Sequence, residues 1–392
     1  MRANIPTPHQ KITIAEIVSQ ADRAVHMVAD VRSRMLAPQH KKVAPVFSMT
    51  QLATLCGIDK GQFSYRLSKE DLPTGQLNAT GSRREFSLEQ SRIWIREYRS
   101  ASLRPKDKRA ITIAVGNFKG GVSKTTTAMT LAQGLSLRGH RVLAIDTDPQ
   151  GSLTTLFGVL PDTDVAEDQT IAPLANGDES SIRPAIQSTY WDGLDLVAAA
   201  PALFSAEFIL PARQMKDPTF QFWDVLNLGL EDVRDEYDVI VIDTSPSLSY
   251  LTINAFMASD GLIVPLPPNA LDFASSAQFW SLFSDLASNL VESAGLVKTF
   301  DFIHVLLSRV DASDAASSVV RTWIAATYAE KLLPVEIPKT AVTSATAAEF
   351  GTVYDISKYD GNLKTYKRAR DAYDRFSDLI EQSVQGSWAG QE

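Results

Sequence analysis

Hydrophobic positions change their period along this chain, and the changes divide it into three parts. Over residues 12–36 the apolar residues Ile14, Ile17, Ala21, Ala24, Val28, Val31 and Met35 recur at alternating steps of three and four. That spacing predicts one helix with a narrow seam of the coiled-coil kind, suited to self-association or to lying on its own domain. Pro38 and Pro45 follow and bracket a basic linker. From 46 to 100 the apolar runs are short. Ser48 can cap a helix beginning Met49-Thr50-Gln51-Leu52-Ala53, Gly57 supplies a turn, and Asp59 can cap a second helix through Phe63, Tyr65 and Leu67. Gly81 to Phe86 reads as a hairpin tip, and Ser87 as the cap of a helix carrying Ile93, Trp94 and Tyr98. After the polar linker 101–109 the period changes again. Strand-like runs at 111–116, 141–146, 194–199, 239–243, 261–265 and 302–308 alternate with helical stretches. Alternation of that kind predicts an α/β architecture, a doubly wound and mostly parallel sheet with helices on both faces. The run 239–243, VIVID, is apolar up to its last residue, as a strand covered on both faces must be. Residues 159–190 are polar and read as a surface excursion. A C-terminal helix carries the stripe Tyr366, Ala369, Tyr373, Phe376 and Ile380. The expected domains are therefore 1–45, 46–109 and 110–392.

Charge sharpens this division. Residues 1–110 hold 19 Lys and Arg against 10 Asp and Glu, and the remainder holds 19 against 36. A basic front end on an acidic body suggests a nucleic-acid module joined to something else, although a solvated charged surface would look the same. A single cysteine, Cys56, excludes a disulfide framework and a cysteine-ligated cluster. The five histidines have no metal-ligand spacing. No run approaches the ~18 apolar residues of a membrane span, and the start of the chain lacks the apolar stretch of a secretion signal. A cytoplasmic protein is expected.

The chemistry concentrates after the first strand of the sheet. Gly116-Asn-Phe-Lys119-Gly120-Gly121-Val122-Ser123-Lys124-Thr125-Thr126 joins a strand to a helix. Backbone N–H groups at such a junction cradle phosphate, and the helix N-terminus adds partial positive charge. The spacing of the ordinary phosphate loop is not met, because Phe118 and Ser123 stand where its glycines belong. A second lysine, Lys119, precedes the glycine pair instead. Lys124 is expected to bridge the β- and γ-phosphates of ATP and Thr125 to ligate Mg²⁺. Gly120 and Gly121 leave space for close backbone approach. The second strand ends Asp146-Thr147-Asp148-Pro149-Gln150-Gly151. Asp148 is a candidate for orienting the attacking water and Asp146 for the Mg²⁺ shell, although the pair also reads as a charged turn with structural caps. Asp243, closing VIVID, is a further Mg²⁺ candidate.

Helix, glycine turn and helix is also a DNA-reading layout. On that reading Lys60, Gln62, Ser64, Tyr65 and Arg66 contact DNA from the second helix, while Arg83 and Arg84 reach a neighbouring groove from a wing. The segment resembles a winged helix-turn-helix of the MerR type.

The motifs KGGxxKT at Lys119–Thr125, DxDPQG at Asp146–Gly151, and Asp243-Thr-Ser-Pro246 followed by Asn254 resemble those of the ParA/MinD family of deviant Walker-A ATPases. Pro265–Pro268, Asp272-Phe-x-Ser-Ser276 and the order helix, helix-turn-helix, ATPase resemble its large, operator-binding branch. Ser123 departs from the glycine common at its position. The resemblance implies a P-loop NTPase fold of the MinD–ParA type and an ATP/ADP- and Mg²⁺-dependent homodimer. In it Lys119 crosses to the partner's phosphates, and Val122, Thr126 and Pro338 complete the nucleotide contacts. It implies ATP-state binding to non-specific DNA through Lys339, Lys364, Lys367 and Arg368, with Lys358 and Arg370 nearby. It further implies a ParB-type adaptor, repression of the chain's own operon, and a nucleoid location without membrane. A MinD-like membrane role needs a basic amphipathic end, which QSVQGSWAGQE does not offer. A transcription factor that merely senses nucleotide stays open.

Overall fold

Thr13 and Glu16 start the first helix by capping each other: the Glu16 carboxylate accepts the Thr13 N–H at 2.7 Å, and the Thr13 hydroxyl accepts the Glu16 N–H at 3.2 Å. The computed structural model describes residues 11–35, 42–292, 295, 297–340, 351–356 and 362–391. Helix α1 spans Ile14–Met35, close to the expected 12–36, with Ile14 and Ile17 of the seam exposed. The side chains of Val28, Val31 and Met35 lie outside the described residues, as do Pro38 and Lys358. This helix belongs to a unit ending at Val43; a second unit runs from Ala44 onward.

The second unit begins with β1 (Phe47–Ser48), α2 (Met49–Cys56), α3 (Lys60–Leu67), β2 (Gln76–Leu77), β3 (Arg84–Phe86) and α4 (Leu88–Tyr98). Ser48, Asp59 and Ser87 cap their helices as expected, each answered three residues on by a glutamine that returns a bond to the cap backbone. Gly57 turns α2 into α3 with φ +70°, a conformation open to glycine at little cost. The three strands pair antiparallel in the order β1-β3-β2. Arg84 is already a strand residue, so the tip of the hairpin lies nearer Asn78–Arg83. Phe63, Phe86 and Trp94 are fully buried, with Phe63 stacked on Trp94 at 4.3 Å.

Strands β4 (Ile111–Val115), β5 (Val142–Asp146), β6 (Gln187–Ser188), β7 (Leu194–Val197), β8 (Val239–Asp243), β9 (Gly261–Leu266), β10 (Phe302–Val310) and β11 (Leu332–Pro338) form one sheet. Its order is β11-β10-β9-β4-β8-β5-β7-β6, and every neighbouring pair is parallel except β6–β7. The helices are α5 (Lys124–Ser136), α6 (Ser152–Leu156), α7 (Ala172–Asn176), α8 (Ala206–Lys216), α9 (Val225–Gly229), α10 (Tyr250–Met257), α11 (Ala270–Ala287), α12 (Ala315–Tyr328) and α13 (Leu363–Gly390). Strand side chains alternate between two cores. Val239 and Val241 join the core shared with α5 and α13, whereas Ile240 and Ile242 join the one shared with α7 to α12.

Two expectations are corrected. Residues 159–190 are more than a surface excursion: Ile171, Ala172, Leu174, Ala175, Ile182 and Ala185 are buried against the sheet. Their apolar residues come in groups too short to stand out between charged ones. Strand β11 is not among the strand-like runs of the sequence because Pro334 and Pro338 interrupt it; as an edge strand it tolerates them.

Candidate nucleotide site

The phosphate loop leaves β4, which pairs with β8 on one side and β9 on the other. Chain order reverses there, and the crevice at the carboxyl ends of such strands is where α/β sheets bind ligands. Gly116 turns the chain out of β4 under Phe256; a Cβ there would sit 2.4 Å from the ring. Phe118 wedges between Phe256 and Phe279, and Asn117 donates to the Pro265 carbonyl at 2.9 Å. The base of the loop is thus fixed by its neighbours.

Gly121 and Ser123 both adopt left-handed backbone, with φ +77° and +74°. This is the physical reason a glycine suits position 123, and the serine there carries strain. Ser123 is also the N-cap of α5 and makes no side-chain cap bond. The first N–H groups of α5 therefore keep their bonding capacity for an anion. Lys124 is buried, its Nζ donating to the Lys119 carbonyl at 2.9 Å across the loop. Burial lowers its pKa, and the carboxylates of Asp243 and Asp148 oppose that shift. Thr125 and Thr126 are half-buried beside it, Val122 is buried, and Gly120 has open space around it. Lys119 reaches the other way, its Nζ 2.8 Å from Oδ1 of Asp272 in the first turn of α11.

Asp146 and Asp243 are direct register partners on β5 and β8. Both are fully buried, yet their environments differ. Oδ2 of Asp146 accepts the Thr154 N–H and hydroxyl, each at 2.8 Å, and Oδ1 accepts the Asp148 N–H at 3.1 Å. Asp146 thereby ties the DxD turn to α6. Burial pushes its pKa up to about 7 against those hydrogen bonds. Neither oxygen of Asp243 has a well-formed partner. Burial, then the Asp146 carboxylate, raises its pKa well above the ordinary range, with the Thr125 hydroxyl and Lys124 opposing. A buried carboxylate without a well-formed hydrogen bond, beside a lysine and a threonine, has donor chemistry that Mg²⁺ would fit. Half-buried Asp148 accepts the Gln150 N–H at 3.0 Å.

A family model described as "AAA domain" matches residues 110–293. A putative replication protein A of Rhizobium rhizogenes is 32% identical over 92% of this chain and 94% of its own length. The chromosome-partitioning ATPase Soj of Thermus thermophilus is 34% identical over 64% of this chain and 88% of its own. The chain belongs to the ParA family of partition ATPases. Among solved structures, cobyrinic acid a,c-diamide synthase of Mycobacterium smegmatis, with bound ATP analogue and magnesium, is 28% identical with a TM-score of 0.52. That match covers 69% of this chain and 94% of the other.

In this ParA-family chain the remaining candidates are placed as follows. Pro338 ends β11 at the same carboxyl edge of the sheet as the phosphate loop, and Lys339 beside it is exposed. Lys364, Lys367 and Arg368 are exposed on the first turns of α13, whereas Arg370 pairs with Asp374 at 3.2 Å. Lys60, Ser64 and Tyr65 are exposed on α3; Gln62 is exposed too, but its Oε1 serves the cap of α3. Arg66 pairs with Asp71 at 2.8 Å and Glu97 at 3.2 Å, so its charge is already answered. Arg83 is exposed, while Arg84 donates to the Thr74 carbonyl.

Sequence reasoning gives three participants no role. Thr154 acts through Asp146, eight residues before it, and Asp272, named only within a family motif, acts through Lys119, far away in the chain. Arg309, at the end of β10, donates to the Gly121 carbonyl at 2.6 Å. A strand-end arginine carries no motif.

Proposed function

We propose that this chain hydrolyses ATP to ADP as a closed homodimer, binds DNA without sequence preference in the ATP state, and represses its own operon through α2 and α3. The observation that supports the reading is the buried carboxylate of Asp243, which lacks a well-formed hydrogen-bond partner, beside Lys124 and Thr125. Thr125 and Asp243 would hold Mg²⁺, which neutralises charge developing on the phosphates. Lys124 exchanges the Lys119 carbonyl for the β- and γ-phosphates. Asp148 orients the attacking water. Asp146 keeps the turn carrying Asp148 in place, a positioning role rather than the metal contact first expected. Lys119 leaves Asp272 and completes the partner's site, so turnover requires closure of the dimer. Helix α1 assists self-association, and a ParB-type adaptor stimulates hydrolysis. The exposed Lys339, Lys364, Lys367 and Arg368 serve the phosphate backbone, and Lys60, Ser64, Tyr65 and Arg83 serve the operator. The protein acts in the cytoplasm, on the nucleoid.

Binding to random and upstream DNA, measured without nucleotide and with ADP or ATP, tests this. ATP should promote random-DNA binding, which should weaken steeply with salt because phosphate contacts release counterions. Random-DNA binding indifferent to nucleotide would defeat the reading.

A nucleotide-sensing repressor without a transport role is the second reading. It is favoured by Arg92 of α4, whose guanidinium is bonded to the far end of the phosphate-loop helix α5. Cargo loss on deleting the gene separates the two. A MinD-like membrane role has less support: Trp388, the bulky apolar residue near the end, is buried and donates to the Arg109 carbonyl. No helix among the described residues is long and apolar enough to cross a membrane.

A further inference from the structure

Arg309 is exposed, is not glycine, and yet has φ +52°. Its strand slips register against β11 on both sides of Leu307, and that irregularity accompanies the strained residue. An exposed arginine gains nothing for packing from such backbone. What the conformation accompanies is a contact: Nη1 of Arg309 donates to the Gly121 carbonyl at 2.6 Å. The preceding residue, Ser308, is buried and its Oγ donates to the Val122 carbonyl at 3.0 Å. Two adjacent residues of β10 thus hold two adjacent carbonyls of the phosphate loop.

The consequence follows from peptide geometry. In a trans peptide the C=O and the N–H point in opposite directions. Holding the Gly121 carbonyl toward β10 turns the Val122 N–H away from it. Holding the Val122 carbonyl does the same for the Ser123 N–H. Gly121 and Ser123 flank these peptides in left-handed backbone, a conformation with little intrinsic preference to keep them so. N–H groups displayed in this way are what such a loop offers to phosphate.

We propose that Ser308 and Arg309 form a clamp that pre-orders the phosphate loop, making them positioning residues for nucleotide binding and hydrolysis. The proposal rests on the reading of this loop as the ATP site. Preorganised donors need no rearrangement when the phosphates arrive, so losing the clamp weakens binding of the phosphate chain and slows turnover. Neither residue is required to touch the nucleotide.

The test titrates the full chain with MgADP and with a magnesium-bound, non-hydrolysable ATP analogue, and measures steady-state ATP hydrolysis. The variants are Ser308→Ala, Arg309→Ala, Arg309→Lys and Arg309→Gly. Arg309→Ala should lose about tenfold to a hundredfold in affinity for both nucleotides, the range of one charge-assisted hydrogen bond. Its KM should rise and its kcat fall. Arg309→Lys should recover part of both, because an ammonium can still donate to a carbonyl. Arg309→Gly should lose affinity as alanine does, while its melting temperature without nucleotide holds or rises because the strain is relieved. That divergence separates the clamp from a general structural role. Ser308→Ala should show a smaller loss in the same direction. Affinity and turnover within twofold of wild type in Arg309→Ala would overturn the clamp. A loss in Arg309→Gly that merely tracks a lowered melting temperature would do the same. If the wild-type chain binds neither nucleotide, the ATP-site reading itself falls, an outcome distinct from failure of the clamp.

Discussion

Lys119 and Asp272 form an ion pair within one chain, Nζ to Oδ1 at 2.8 Å. Asn269 fixes the acid by capping α11, its Oδ1 accepting the Asp272 N–H and its amide donating to the carboxylate. In the single chain, then, the lysine expected to reach a partner is held at home. In the proposed dimer, closure would break this pair in each protomer, at about 1 kcal/mol apiece given its partial exposure. Asp272→Ala should therefore strengthen ATP-dependent dimerisation by up to about thirtyfold, since two such pairs are spared per dimer, read by light scattering across protein concentrations. Unchanged or weaker dimerisation would assign Asp272 a different part. Lys119→Ala should keep ADP binding and lose hydrolysis.

Asp243→Asn separates function from stability. The buried carboxylate lacks good partners, and burial with the neighbouring Asp146 raises its pKa. A raised acid binds its proton more tightly when folded, so the folded state loses stability as pH climbs from the unfolded pKa toward the folded one. The asparagine variant should accordingly be more stable than the parent without nucleotide, by about 1 kcal/mol or more, with a larger gain at pH 8 than at pH 5. Urea denaturation at the two pH values measures this. Magnesium-dependent nucleotide binding should be lost in the same variant.

Most of this architecture is legible from periodicity because the sheet is covered on both faces. VIVID is apolar up to its closing Asp243, and each face of it meets a different core. The caps at Ser48, Asp59 and Ser87 are legible because their chemistry is local: the acceptor and the N–H lie three residues apart. The phosphate loop is legible for the same reason. Its supports are not. Thr154 on Asp146, Asp272 on Lys119 and Arg309 on Gly121 bring together residues 8, 153 and 188 positions apart. No spacing rule reaches the last two, and no motif joins Thr154 to Asp146. Arg66 and Arg84 illustrate the reverse case: sequence offered them as free cations, and folding gives them partners in Asp71, Glu97 and the Thr74 carbonyl.

Arg92 should prove one of the costliest side chains to remove. It is buried, and its guanidinium donates to Asp192 at 2.8 Å, to the Ser136 carbonyl and hydroxyl at 2.5 and 2.9 Å, and to the His140 carbonyl at 2.9 Å. Gly193 makes way for it; a Cβ there would lie 2.0 Å from the guanidinium carbon. Arg92→Ala strands these acceptors and should destabilise the fold by about 3 kcal/mol or more. Arg92→Lys should rescue little, since one ammonium cannot reproduce the planar fork. Chemical denaturation checks both.

Glu381 should shape the acid limb of the stability profile. It is buried, with Oε1 2.8 Å from His140 Nε2 and Oε2 accepting from Arg99 at 2.5 Å. Burial alone would raise its pKa; the hydrogen bond and charge of His140, then Arg99, outweigh it and lower the value below the usual 4.5. A depressed acid stabilises the fold above its unfolded pKa, and that contribution fades as pH falls through the lower folded value. Glu381→Gln should be less stable near neutrality and show a shallower decline below pH ~4.5. Melting temperatures from pH 7 to pH 3 measure the difference; parallel curves would count against this role.

The sealed guanidinium of Arg92 also bears on how motion can travel. One end of α5 forms the rim of the phosphate loop, and the other is bonded to α4, whose Trp94 stacks on Phe63 of α3. Between loop and surface helix the described contacts include side chains that would have to give up their partners to slide. A tilt of α5 on nucleotide exchange would arrive at Tyr65 as the swing of a lever, altering where that face points and leaving its shape alone.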